Sequence, residues 1–206
     1  MLPAYKSRIL NTFWCSCVND ALNALSLMIR KNIKLMKSSV NIELINNIPK
    51  LMNPEEISTT LVYTRAYDHL SYVVITSSSL KHFLRLIDIL LNKKIDYYEA
   101  LSEENKSSVF ELGNIINGYF ISSLNNLFDT KFDYKESELS VNPYRAIEDF
   151  KFGDIYREKI NALTFISNFK VEWNEVEDIE GKIILLTEED KVDTILEAIS
   201  KKIKMT

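Results

Sequence analysis

Glu111 and Asn114 lie three residues apart in the segment SSVFELGNIINGYFISSLNNLF, and Glu111 is the only charged residue between Ser107 and Phe128. An ionised carboxylate accepts hydrogen bonds, whereas a carboxamide both accepts and donates them. Such a pair on one helical face is the chemistry-bearing feature of this chain. Ser107, Glu111, Asn114 and Gly118 follow at steps of four, three and four, so on a helix they form one stripe. A solvated helix face usually carries Lys and Glu, while Ser, Asn and Gly are mediocre to poor helix formers. Gly113 and Gly118 are two of only four glycines, and each costs roughly 1 kcal/mol against Ala inside a helix. Close approach of another surface accounts for them. A plainer account is that the stripe packs on a neighbouring helix while Glu111 projects into water.

The element that must hold these groups is an amphipathic helix. Phe110, Leu112, Ile115, Ile116, Phe120, Leu124 and Leu127 recur at three-to-four spacing. Two roles stay open at its start. Ser107 can hydrogen-bond the Glu111 carboxylate or a partner's loop, or Ser107 and Ser108 can cap the helix. Glu111, three residues beyond Ser108, has capping-box spacing, and satisfying backbone N–H groups is its alternative role.

Composition narrows the function classes. With 206 residues, 46% hydrophobic and 26% charged, the chain can bury a sizeable core as one domain or two intertwined halves. A net charge of −4 without any Lys/Arg run argues against a nucleic-acid partner. The tail cations Lys201, Lys202 and Lys204 suit the end of a helix. No apolar stretch of membrane-spanning length and no secretion-type amino terminus is present, which predicts a cytoplasmic protein without membrane contact. Cys15 and Cys17 are the only cysteines, and His69 and His82 the only histidines. They make neither a disulfide framework nor a metal site, so no metal or cofactor is expected and the cysteines read as small core or near-surface residues.

Along the chain the elements repeat as helix, strand, helix, hairpin, helix, written twice. The first half runs from a helix over ILNTFWCSCVNDALNALSLMIRK to the strand NIKLMKSSVNIEL, a short helix near Pro49–Met52, a hairpin of TTLVYTRAY and YVVITSS turning at Asp68–Ser71, and the helix LKHFLRLIDILLNKK. The second runs through the Glu111 helix, the strand KFDYKESELSV, a helix after Pro143, a hairpin of LTFISNFKVEW and GKIILLT joined by the acidic EVEDIE, and the helix EDKVDTILEAISKKI. An offset of 99 residues superposes Ile33 on Phe132, Thr12 on Glu111 and Cys15 on Asn114. Asp96–Lys106 reads as the linker. Alternation at Phe169, Val171 and Trp173 predicts half-buried antiparallel strands. The expected fold class is α+β: a single domain over 1–206 of two pseudo-symmetric halves, about 5–95 and 106–203, sharing one mainly antiparallel sheet with long helices packed on it. Trp14 and Trp173 read as core, Tyr97 and Tyr98 as packing the linker, and the five carboxylates between Glu172 and Glu180 as a solvated turn.

The segment Ser107-x-x-x-Glu111-x-x-Asn114 resembles the signature helix of the CheC/CheX/FliY chemotaxis phosphatases, the CheC type above all. The closing FKVEW, GKIILLT and DTILEAI elements and the duplication extend the resemblance over nearly the whole chain. The family's proline would fall 23 residues after the asparagine, where this chain has Ser137 and the nearest proline is Pro143. That departure is expected to leave the reactive pair untouched. CheC-type proteins often carry two centres; Thr12 and Cys15 at the first mark it as degenerate, leaving one.

The resemblance implies hydrolysis of the phosphoaspartate of a CheY-type response regulator, which holds Mg²⁺ and a lysine in its own pocket. Asn114 would then align a water with phosphorus, and Glu111 would pair with the regulator's lysine, a general-base role being less suited to a loose transition state. Ser107 and Gly118 would support the contact. The alternative is a regulatory module that docks without catalysis, for example on the receptor deamidase CheD. A flagellar switch component is a third reading, weakened by the lack of an appended switch-type domain.

Overall fold

The computed structural model describes residues 2–51, 59–67, 72–91, 102–128, 133–134, 137–140, 161–172 and 178–205. Helix α1 spans Ala4–Ile29, strand β1 Ile33–Leu44, the short helix α2 Ile48–Leu51, β2 Thr59–Tyr67, β3 Tyr72–Ser79 and α3 Leu80–Leu91. The second half supplies α4 over Glu103–Phe128, β4 over Asp133–Tyr134, β5 over Glu138–Ser140, β6 over Asn161–Val171, β7 over Ile179–Glu188 and α5 over Val192–Met205. The Asp68–Ser71 turn, His69, Tyr97, Tyr98, the segment after Pro143 and Trp173 lie outside the described residues.

The seven strands form one antiparallel sheet in the order β1-β6-β7-β3-β2-β4, with β5 also on β2. The order is the same from either end if the halves are exchanged: β3 and β7 meet at the centre, and each is flanked by its own hairpin mate. The fold is thus internally duplicated α+β, with its sheet shared by both halves. Each half lends strands to the other: β1 leaves the first half to pair with β6 from Ile33↔Val171 to Leu44↔Asn161, and β4 and β5 leave the second to pair with β2.

The core fills the helical face of the sheet, where Leu163, Phe165, Phe169, Val171, Ile183 and Leu185 meet Trp14, Leu25, Phe83, Leu112, Ile116 and Phe120. The expectation of half-buried strands needs correction at the centre. All eight residues of β3 are buried, because Val73 and Ile75 on its far side are covered as well as Val74 on the helical side. One chain of polar groups runs from the core to its edge and is bonded throughout. Trp14 Nε1 donates to Ser167 Oγ at 2.6 Å, Ser167 Oγ to Ser38 Oγ at 3.1 Å, and Ser38 Oγ to Asn11 Oδ1 at 2.8 Å, as burial of polar groups demands.

Gly181 has a packing reason. It pairs with Phe169 across β6 and β7, and a methyl added at Gly181 would come within 2.4 Å of Phe169 Cζ. That ring is 2% exposed and hemmed in by the core. Gly181→Ala is therefore expected to cost about 1–3 kcal/mol of stability by overpacking, seen as a lowered denaturant midpoint with unchanged slope. A midpoint equal to the parent's would mean that the ring moves aside freely.

The acidic run is more than a solvated turn. Glu172 pairs with Lys34 and accepts from Asn32 Nδ2 at 2.9 Å, while Asp178 pairs with Lys170. The Lys34 and Asn32 contacts hold the Glu172 carboxyl below its ordinary pKa. These pairs fasten the ends of β1, β6 and β7, and Glu175 and Glu177 lie outside the described residues.

Candidate functional site

Helix α4 begins at Glu103, four residues before the first serine of the stripe. Ser102 caps it, its Oγ accepting the Asn105 N–H at 3.2 Å, with Glu103 and Glu104 in the first turn where the helix dipole favours acids. The capping readings of Ser107, Ser108 and Glu111 are thereby corrected. Ser108 lies inside the helix and donates back to the Glu104 carbonyl at 3.0 Å, and at Glu111 the backbone N–H groups are already used within the helix. The Asp96–Lys106 linker likewise ends earlier than expected, since Glu103–Lys106 is helical.

One side of α4 enters the core through Val109, Leu112, Ile116, Phe120, Ile121 and Leu124. Asn117 belongs to this side too. It is fully buried and accepts from Thr76 Oγ1 of β3 at 2.7 Å, which pins the rotation of the helix on the sheet. The other side carries the stripe: Ser107 and Glu111 are exposed, and Asn114 and Gly118 half-buried. Among the described residues no cation stands against the Glu111 carboxylate. A methyl added at Gly118 would meet no atom within 4 Å. Among the described residues the glycine therefore serves no packing contact, and it leaves the helix surface beside Asn114 without a side chain.

Ser137 reaches this site. Its Oγ donates to Asn114 Oδ1 at 2.6 Å, so the expectation that a serine in the proline's place leaves the reactive pair untouched is corrected. One lone pair of Oδ1 is occupied; the second, and both N–H groups of the carboxamide, bond to no described residue. The sequence held a clue, because Ser38 lies 99 residues before Ser137 and also donates to a helix asparagine, Asn11. The reading of this position as a vacant proline site hid it.

The first-half positions differ. Thr12 is exposed and donates to the Arg8 carbonyl at 3.0 Å within α1, and Cys15 is half-buried. Neither offers a carboxylate or carboxamide. Cys17 is buried, and desolvation pushes its thiol up to about 12, which keeps it protonated and unreactive.

No protein-family profile and no curated protein matches the sequence. Solved structures do match in shape. Thermotoga maritima FliY superposes with a TM-score of 0.68 at 15% identity, over 98% of this chain and 99% of that one. A CheC-like superfamily protein from Shewanella sp. PV-4 gives 0.56 at 14% identity, over 85% and 97%. A chain of the FliM–SpeE complex from H. pylori gives 0.62 at 9% identity, over 100% of both. No helix among the described residues is long and apolar enough to cross a membrane. The duplicated sheet, the helices on it and these superpositions agree: the chain has the fold of the CheC/CheX/FliY-type chemotaxis proteins.

Proposed function

We propose that the chain is a cytoplasmic phosphatase that hydrolyses the phosphoaspartate of a CheY-type response regulator, through the single centre Glu111 and Asn114. What supports this reading is one arrangement: an exposed carboxylate with no partner cation among the described residues, beside a half-buried carboxamide whose two N–H groups bond to no described residue, on the outer side of one helix. When bound, the regulator's own Mg²⁺ and lysine neutralise the phosphoryl oxygens. An acyl phosphate so activated lacks only an aligned nucleophile. Asn114 accepts a hydrogen from a water at its free lone pair and donates from its NH₂, fixing that water in line with phosphorus. The water oxygen bonds to phosphorus, the bond to the acyl oxygen breaks, its electron pair returns to the regulator's aspartate, and the proton leaves with phosphate. A loose transition state needs little proton abstraction, so Glu111 serves to dock the helix on the regulator's lysine.

The assay is phosphate release from a CheY-type receiver charged with acetyl phosphate and Mg²⁺. Added protein is expected to accelerate it, and release at the receiver's own rate overturns the proposal. Glu111→Ala is expected to weaken the complex by about tenfold, the scale of losing one interfacial charge pair, with turnover of the saturated complex largely kept. An unchanged Kd removes the docking role.

A docking module without catalysis is the competing reading. The full-length match to a chain of the FliM–SpeE complex favours it, since that frame was solved engaged with another protein. A partner such as the deamidase CheD would then bind while phosphate release stays unaccelerated.

A further inference from the structure

We propose that Ser137 is a positioning residue which sets the direction of the Asn114 carboxamide; the inference rests on the phosphatase reading above. The terminal torsion of an asparagine is broad, and a half-turn exchanges its oxygen for its NH₂. On the open stripe of α4 nothing else among the described residues fixes that choice. Ser137 is 6% exposed and immediately precedes β5, which is tied to β2 by the pairs Leu61↔Ser140, Val62↔Leu139 and Tyr63↔Glu138. Its hydroxyl is therefore held by the sheet, and it donates to Oδ1 at 2.6 Å. With the oxygen end anchored, the NH₂ end is the one presented away from Ser137. This orientation leaves the NH₂ to donate to the attacking water and the second lone pair of Oδ1 to accept from it, the two contacts the proposed step uses.

The first half shows what a purely structural version looks like. Ser38 donates to Asn11 Oδ1, but the contact continues through Ser167 to Trp14 as a buried tie between helix and sheet. Ser137 instead donates to the carboxamide that stands one turn from the exposed Glu111.

The test is steady-state phosphate release from the acetyl-phosphate-charged receiver, for the parent, Ser137→Ala and Ser137→Thr, with the melting midpoint of each. Ser137→Ala is expected to lose about ten- to a hundredfold in kcat through misalignment of the amide, with KM within about twofold and the midpoint near the parent's. Ser137→Thr, which restores the hydroxyl, is expected to recover most of the loss. In an Asn114→Ala background the serine substitution should do nothing further. If the parent accelerates release and Ser137→Ala equals it, the positioning role is wrong while the phosphatase reading stands. The role is also overturned if Ser137→Ala and Ser137→Thr lose rate alike in step with their midpoints, since the serine is then only a strut. A parent that leaves release at the receiver's own rate overturns the phosphatase reading itself, and the inference with it.

Discussion

Asn114→Ala is expected to return phosphate release to the receiver's unassisted rate, a loss on the order of a hundredfold or more in kcat, without loss of binding or fold. The carboxamide is the one group on the stripe that presents an acceptor and a two-hydrogen donor from separate atoms, and alanine removes all of that at once. The side chain is half-buried at the outer side of α4, and its one bond among the described residues is to Ser137. Its removal therefore opens no large cavity and should lower stability by about 1 kcal/mol. The measurement is stopped-flow phosphate release alongside Kd for the receiver held in its phosphorylated form. Retention of the parent's rate would place the attacking water elsewhere. Thr12→Ala and Cys15→Ala belong in the same series, because both should match the parent; a large loss in either restores a second centre on α1.

Trp14→Ala is expected to cost about 3–5 kcal/mol, a large share of the 5–15 kcal/mol typical of a whole domain. Trp14 sits on α1, is 1% exposed, and makes edge and tilted contacts with Phe120 of α4 at 4.7 Å and Phe165 of β6 at 5.3 Å. Its indole N–H reaches Ser167, so one side chain joins both long helices to the sheet. An apolar cavity bounded by Phe13, Tyr72, Leu124 and Phe128 already adjoins it, and truncation would enlarge that void. Trp14→Phe keeps most of the ring contact and loses the hydrogen bond, for about 1–2 kcal/mol. Urea titrations followed by circular dichroism separate the two. Equal costs for Ala and Phe would mean that the Ser167 bond, not ring packing, dominates.

Much of this frame was legible in the sequence because apolar periodicity is a direct imprint of burial. The hairpin of β2 and β3, the strands β6 and β7, and the helices α1, α3 and α5 appear where the three-to-four and two-residue patterns place them. The start of α4 was not, since Glu103, Glu104 and Lys106 read as a polar linker although they form a dipole-matched first turn behind the Ser102 cap. Nor was Asn117, whose polarity suggests an outward side chain; its buried carboxamide is met by Thr76, which lies on a different element. The Glu111–Asn114 stripe was readable from local spacing alone. Ser137 was not, because its meaning depends on where β5 delivers it, and no local pattern carries that information.

The crossing of β1 bears on how the protein is made. Among the described residues its sole strand neighbour is β6, which leaves the ribosome more than a hundred residues later. At ordinary elongation rates of about 5–20 residues per second that interval is roughly 6–25 s. Throughout it the nascent β1 offers a bare hydrogen-bonding rim to any passing chain. Lys34 and Lys37, lying along that strand, are the charges that discourage premature pairing while it waits.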